Sequence, residues 1–473
     1  SNGGQTSGLN DSGVSYFEAD PIRSVAKETL QDSIDALHKN EKKTIIKFRT
    51  FNVSKSEVPN YEKLVQAFNN GIQRWNHHKA TKSFFEKGLE MLNREEIPIL
   101  AIQDYNTTGL PDVGNTRTGG WYTLILSAGV TEKAATDGGS YGIGKNAPFA
   151  ASALRTVLYS TKNRDEQIGF QGIARIPTIT NSDGEDTQGT GYYFNPHNQQ
   201  PVMDNNDILQ PYRRTEYGTD KFILGFNDEK EWEERLIDEV LSSYLLAIYR
   251  ETLEVHVNDK VISKTSLPEM IKIVQQYNKE SLALQYYEVL HSKYTQTFEK
   301  KFKTVDGDEE VAKLWLLERD GFQKRVGLHR STGMKIFDKG HFRTPLDFSG
   351  IFIVEGEKLN AALREMEPPT HDKWIPKLYK ENTKYAEKLI SDIYAWLNKC
   401  ANSLLKQGVS ENFQIKGIEE LLPDLSDASV TTIEMKKDTL KDRISYIHPN
   451  KKKKKRRPKP SIPSPDGIEG EVS

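Results

Sequence analysis

The chain has little of what would place it outside the cell or in a membrane. Its 473 residues include one cysteine, Cys400, which excludes an internal disulfide and fits a reducing, intracellular compartment. No apolar run approaches the roughly 18 residues of a transmembrane helix, so we expect no membrane partner. The opening residues lack the basic and apolar parts of a signal peptide, and we expect a flexible arm there. The net charge of −2 gives no overall attraction to nucleic acid.

Positive charge is nevertheless concentrated in one place. Residues 451–457 read KKKKKRR and are followed by the proline-rich PKPSIPSPDG. Like charges repel, and the block has nothing apolar to bury, so we expect a disordered tail. Contact with nucleic-acid phosphates, a nuclear address and a solubilising tail are its three interpretations.

An acidic stripe marks residues 27–37, KETLQDSIDAL. In a helix, Glu28, Asp32 and Asp35 follow each other at i, i+4 and i+7 on one face. Apolar residues at the same spacing occupy roughly the opposite face, which predicts burial against a core. Carboxylates so placed repel each other by roughly 0.2–0.5 kcal/mol per pair. The stripe suits a site that holds a metal ion and activates water, with a solvated amphipathic helix as the alternative.

Another carboxylate ends an apolar run. Residues 97–105, IPILAIQDY, predict a buried strand that places Asp104 at its end. A carboxylate in such a position needs a hydrogen-bond donor. An exocyclic amine of adenine and a backbone N–H of a turn serve equally well, so a structural role is the alternative here.

Glycines recur in residues 139–145, GSYGIGK, before residues 147–159, which we expect to be helical. Gly139, Gly142 and Gly144 leave backbone amides open to phosphate oxygens, and the N-terminus of a following helix favours the same negative charge. A plain turn is the alternative. The spacing is not that of a P-loop, and no strand runs directly into it as in a Rossmann fingerprint.

The order of these features resembles that of the GHKL ATPase superfamily, which includes DNA gyrase, MutL, the ninety-kilodalton heat-shock chaperone and sensor histidine kinases. The first helix of that family carries ExxxNxxDA, and residues 28–36 match it at every spacing, with Asp32 in place of the usual asparagine. By resemblance, Glu28 is the general base that deprotonates the attacking water. Asp32 would be the Mg²⁺ ligand, and Asp35 would belong to the nucleotide site.

The resemblance extends to the later segments. Asp104 would bind the adenine amine of ATP, although DYNTTGL has an additional residue and one glycine fewer than the family's DxGxGM. Gly109 is the other residue of that motif which matches. The remaining expected ATP contacts are Gly139, Gly142, Gly144, Lys145 and Thr219, the last in a GT element that opens a strand over 218–226.

The chain continues into a part that resembles the transducer domain of gyrase, MutL and the Microrchidia (MORC) ATPases, which lends a lysine to the γ-phosphate. Residues 367–374, EPPTHDKW, resemble the PTHNK-type element of MORC proteins and the HPxK element of MutL. Lys373 is therefore the expected catalytic lysine. An ordinary turn with a solvated charge is the alternative, and Lys335 in RSTGMKIF is the second candidate.

The resemblance implies an α+β fold. A GHKL (Bergerat) two-layer α/β sandwich with a mixed, largely antiparallel sheet would be followed by a smaller α/β transducer domain and a helical C-terminal segment. The expected division is 1–19 flexible arm, 20–235 ATP-binding domain, 236–380 transducer-like domain, 381–450 helical segment and 451–473 basic tail.

The implied function is slow, Mg²⁺-dependent ATP hydrolysis by a clamp of the MORC/MutL type. ATP would drive formation of a homodimer that acts on DNA, in the cytoplasm, the nucleoid or a nucleus. A chaperone-like or scaffold ATPase with a protein partner is one alternative. A nucleotide-binding module with little hydrolysis is another, because Asp32 and DYNTTGL depart from the family motifs.

Overall fold

The computed structural model describes residues 6–9, 12–127, 144–195, 197–227 and 230–411, which build two β-sheets with helices packed on them. These residues all belong to one compact unit. Gly139, Gly142 and the basic block at 451–457 lie outside the described residues.

The larger sheet contains eight strands within the described part of the chain. They are β1 Thr44–Ser54, β2 Glu96–Tyr105, β3 Ser152–Lys162, β4 Ile168–Arg175, β5 Thr190–Tyr193, β6 Gly218–Phe226, β7 Leu253–Val257 and β8 Lys260–Ile262. Their order is β5-β4-β3-β6-β2-β1-β7-β8. β1 and β7 are parallel and the other neighbours are antiparallel, which confirms the mixed, largely antiparallel sheet.

The smaller sheet follows in sequence. Its strands are β9 Gln296–Lys303, β10 Glu309–Glu318, β11 Arg325–His329, β12 Lys335–Lys339 and β13 Phe348–Val354. They lie in the order β12-β11-β13-β10-β9, with β11 and β13 parallel.

Helices connect and cover the sheets. They are α1 Ser12–Ser15, α2 Pro21–Asp35, α3 Tyr61–Arg74, α4 Lys79–Asn93, α5 Gly119–Trp121, α6 Ala147–Ala150, α7 Trp232–Tyr249, α8 Leu267–Tyr277, α9 Ala283–His291, α10 Glu357–Glu365 and α11 Thr383–Glu411. The acidic helix α2 begins earlier than predicted because Asp20 caps it, accepting a hydrogen bond from the backbone N–H of Arg23, and a proline occupies its first position. No helix in the described ranges has the length and apolarity to cross a bilayer.

One predicted element is wrong. Residues 147–159 were expected to form a helix, but α6 ends at Ala150 and β3 begins at Ser152. β3 lies between β4 and β6, and nearly all of its residues are buried. A strand covered on both faces has no alternation of apolar and polar residues, so its sequence does not distinguish it from a buried helix.

Helices cover both faces of the larger sheet at its middle strands. On β2, Leu100 and Ile102 belong to the core that contains α2 and α7, whereas Ile99 and Ala101 belong to the core that contains α3 and α4. Successive strand residues point to opposite faces, and this run is apolar at every position, so both faces need a cover. The arrangement thus has a third layer that the expected two-layer sandwich lacks.

The core around α2 and α7 also reaches the smaller sheet. Ile351 and Ile353 of β13 belong to it together with Leu241 of α7. β7 and β8 complete the larger sheet although they follow residue 235. The division into domains at 235 and 380 therefore stays a prediction, and a continuous apolar core crosses the first of these positions.

A glycine in the β11–β12 turn allows this turn to approach α7. Gly333 has φ +87°, and a Cβ there would lie 2.7 Å from the backbone nitrogen of Ala247. Gly321 has a similar φ of +85° but nothing within 4 Å of its Cβ position.

Gly333→Ala is expected to lower the free energy of unfolding by about 2–4 kcal/mol, and Gly321→Ala by only about 1–2 kcal/mol. Urea denaturation measures both, and equal losses would show that the close approach to α7 is unimportant.

Candidate functional site

The three acidic side chains of helix α2 contact three different parts of the chain. Glu28 lies nearest the glycine segment: a Cβ added to Gly144 would be 2.0 Å from Glu28 Oε2. Any side chain at position 144 would therefore displace this carboxylate. Gly144 begins a helical turn, Gly144–Asn146, that continues into α6. The carboxylate thus lies directly against the backbone of the last glycine in the predicted phosphate-binding segment.

The surroundings of Glu28 favour its protonated form. Burial raises the pKa of its carboxyl to about 7, and the negative charge of Asp32, one helical turn away, acts in the same direction. The cations Lys27, Arg330 and Lys221 oppose the rise but do not cancel it. A carboxyl with a pKa near neutral pH can accept a proton from water and release it again, as a general base must.

Asp104 lies at the end of β2 as predicted, and several donors hold its carboxylate. Oδ1 accepts hydrogen bonds from the hydroxyl of Thr107 and, at 3.0 Å, from the backbone N–H of Thr219. Oδ2 faces the hydroxyl of Ser33 on α2 at 3.4 Å, which is long for such a bond. One oxygen is thus fixed by the protein, and the other retains acceptor capacity for a ligand amine.

Arg214, which the sequence analysis did not single out, joins the strand ends around Asp104. Its buried guanidinium donates to the carbonyl oxygens of Asp104, Glu216 and Tyr217 and forms an ion pair with Asp220. A guanidinium can satisfy so many acceptors because it carries five N–H donors in a rigid plane. It fixes the GT element of β6 beside the end of β2.

Asp32, the predicted Mg²⁺ ligand, forms an ion pair. Its Oδ2 lies 3.2 Å from Nζ of Lys221, a buried lysine on β6. A metal ion at this oxygen would compete with the ammonium and be repelled by it. A site with Asp32 as a Mg²⁺ ligand therefore does not fit the observed contacts.

The third acid of the stripe, Asp35, contacts the part of the chain that follows the smaller sheet. Its Oδ2 lies 3.4 Å from a terminal nitrogen of Arg364 on α10. Both side chains are largely buried, so this pair joins α2 to α10 rather than facing a ligand from solvent.

The predicted catalytic lysine lies on a segment that contacts α2. Lys27, the neighbour of Glu28 in sequence, donates hydrogen bonds to the carbonyl oxygens of Thr370 and His371, at 3.0 and 3.2 Å. Lys373 itself is exposed. The role of Lys373 stays a prediction.

A buried ion pair supports this segment. Arg330 donates to both carboxylate oxygens of Glu367 and contacts Nδ1 of His371, which lies 2.8 Å from the same carboxylate. The positive charge of Arg330 also acts to lower the pKa of Glu28. The second candidate lysine, Lys335, is instead paired with Asp338 at 2.8 Å.

The remaining predicted residues take supporting positions. Lys145 donates to the carbonyl oxygens of Thr123 and Ser127, both at 2.7 Å, so its amine anchors the segment that precedes the glycines. Burial lowers the pKa of Lys145 to about 8, and nearby Arg175 adds to this. Gly109 has φ +67°, and a Cβ there would lie 2.5 Å from the carbonyl oxygen of Lys162, so it allows the loop after β2 to contact β3.

Comparisons with known proteins find distant similarity to solved structures. No protein-family model matches the chain, and no curated protein matches it. Among solved structures, it is similar to the B-subunit of the DNA gyrase from Myxococcus xanthus, with 11% sequence identity and a TM-score of 0.28 over 62% of this chain and 78% of that chain. This similarity assigns no role to any residue, so the assignment of function rests on the geometry of the site.

Burial of the ionised Glu28 carboxylate beside Asp32 should lower the free energy of unfolding, and this loss can be measured without any ligand. Its pKa of about 7 means that ionisation destabilises the folded state as pH rises from about 4.5 to 7, and the loss persists above that. Glu28→Gln removes this cost and is expected to stabilise the protein at pH 8 by about 1–3 kcal/mol, with a gain that shrinks as the pH falls towards 4.5. Urea denaturation at pH 8 and pH 5 measures the difference.

Glu90→Gln, on the exposed side of α4, is the matched control because it removes the same charge from a solvated position. It should change stability by less than about 0.5 kcal/mol at either pH. A Glu28→Gln variant that is less stable than wild type at pH 8 would contradict the assigned environment of Glu28.

Proposed function

We propose that this protein binds ATP and hydrolyses it to ADP and phosphate, with Glu28 as the general base. The observation that carries the proposal is the contact of the Glu28 carboxylate with Gly144, together with its pKa near 7. Gly144, which lies at the described end of the glycine segment, would offer its backbone N–H group to a triphosphate. A water between the terminal phosphate and Glu28 would then lose its proton to Oε2 as it attacks phosphorus.

The Asp104 end of the site suits the adenine base. Thr107 and the Thr219 amide orient the carboxylate through Oδ1, and Oδ2 accepts from the exocyclic amine. Such a fixed acceptor favours an amine over a carbonyl at that position of the base, because a carbonyl would oppose a carboxylate without a proton between them. Asp104 on β2 and Glu28 on α2 would thus hold the two ends of one nucleotide.

Proton acceptance by Glu28 predicts the pH dependence of hydrolysis. The value of kcat/KM for ATP should rise with pH up to about 7 and then level off, because the protonated carboxyl cannot act as a base. Glu28→Gln should bind ATP with a Kd within about threefold of wild type and hydrolyse it at least about a hundredfold more slowly. Phosphate release and isothermal titration calorimetry measure the two quantities.

Two controls separate chemistry from binding. Binding of a non-hydrolysable ATP analogue over the same pH range shows how much of the pH dependence of kcat/KM comes from affinity. As the second control, Glu90→Gln should hydrolyse ATP like wild type. Hydrolysis that survives in Glu28→Gln would remove Glu28 from the role of base. ATP binding without hydrolysis in wild type would instead favour the nucleotide-binding module.

We further propose, from the sequence resemblance, that ATP closes a homodimer and that the dimer acts on DNA. The segment bearing Lys373 supports a link between nucleotide and conformation, because it contacts α2 next to Glu28. Hydrolysis would then release the closed state, as expected for an ATP-gated clamp. A protein partner in place of DNA is the competing proposal.

Light scattering tests the clamp. With ATP and Mg²⁺, the mass of wild type should double and then return to that of the monomer, whereas that of Glu28→Gln should stay doubled because hydrolysis is blocked. Duplex DNA at low salt should raise the ATPase rate of wild type, and the effect should weaken as salt is added. A mass that never responds to ATP excludes the clamp. A rate indifferent to DNA favours a protein partner.

A further inference from the structure

Lys221 is a buried cation in the floor of the proposed ATP site. It lies on β6 in the middle of the larger sheet and is 7% exposed, and its neighbours in register, Ile102 and Tyr159, are both buried. Lysine is rarely this buried without a partner. Asp32 supplies that partner, and because the Asp32 side chain is 39% exposed, the pair opens towards the surface at one end.

The position of Lys221 lies between the two ends of the proposed nucleotide. It follows Thr219 by two residues on β6, so both side chains point to the same face of the sheet. The Thr219 amide binds Asp104 at the base end, and Lys221 is paired with Asp32, one helical turn from Glu28 at the phosphate end. A nucleotide that spans these ends passes Lys221.

The ammonium has donors to spare for such a ligand. It carries three N–H groups, and within the described part of the chain Asp32 is the hydrogen-bond acceptor found for it. Phosphate oxygens are strong acceptors, and charge-assisted bonds to them are about twice as strong as neutral ones. Lys221 could therefore bind Asp32 and a phosphate oxygen at the same time.

A divalent metal at Asp32 would have to displace this ammonium. Mg²⁺ demands nearly octahedral oxygen ligation and gives up its water reluctantly, so it gains little at a carboxylate that is already neutralised. We propose that Lys221 takes the place of the divalent cation, so that this site binds the phosphates of ATP without Mg²⁺. The inference rests on the proposed function and concerns the binding step.

Calorimetric titration of the full chain with ATP, in excess EDTA and in Mg²⁺, tests this. Wild type should bind ATP in EDTA with a Kd within about threefold of that in Mg²⁺. Lys221→Met should lose about tenfold to a hundredfold in affinity in EDTA and regain part of it in Mg²⁺, because Asp32 is released from its ion pair. Lys221→Arg should retain most of the EDTA affinity, since it keeps the charge.

Lys260→Met is the matched control, because Lys260 forms an ion pair with Glu233 at the outer strand of the same sheet. It should bind ATP like wild type in both buffers. If Lys221→Met does not fold, the ATP affinities of wild type and Lys221→Arg in EDTA and in Mg²⁺ still test the inference. Wild type that binds ATP in Mg²⁺ but at least about tenfold more weakly in EDTA overturns this inference and leaves the proposed function intact. Wild type that binds ATP in neither buffer overturns both.

Discussion

Three carboxylates on one face of α2 repel one another, and the site depends on the cations that the rest of the fold brings to them. Lys221 reaches Asp32 from the middle of the larger sheet, and Arg364 reaches Asp35 from α10. Within the described part of the chain Glu28 has no such direct ion pair, and burial, together with the charge of Asp32, raises the pKa of its carboxyl to about 7. Two of the three acids are thus paired with cations, whereas the third, Glu28, has a carboxyl whose burial suits it to accept a proton.

This arrangement joins the smaller sheet to the acidic helix. The segment after α10 is held to α2 by Lys27, and the buried pair of Arg330 and Glu367 holds the same segment to the end of β11. Breaking a buried ion pair leaves an uncompensated charge and costs several kcal/mol, so the segment is expected to move as a unit with Arg330. Arg330 also acts on the pKa of Glu28, so the smaller sheet contributes charge to the surroundings of the proposed base.

Local patterns in the sequence predicted much of the framework. The strand over 218–226 has its predicted bounds, and β2 ends one residue past Asp104. These elements have a strong apolar pattern or a clear boundary. The helix predicted at 147–159 is wrong because β3 lacks such a pattern. β3 is buried on both faces, so apolar and polar residues do not alternate along it. The second layer of helices on the larger sheet was not predicted for a related reason. The sequence of a wholly apolar strand does not indicate which helices cover its two faces.

The sequence by itself determined which acids share a helix face and which carboxylate ends a strand, because the helical and strand periods act over a few residues. The tertiary structure alone decided which cation meets each acid. Lys221 is 189 residues from Asp32 in sequence, and Arg364 is 329 residues from Asp35. Such pairs depend on strand register and on the packing of whole elements, and these arise only when distant apolar surfaces are buried together. For that reason the sequence indicated a metal ligand at Asp32, and the fold placed an ammonium there.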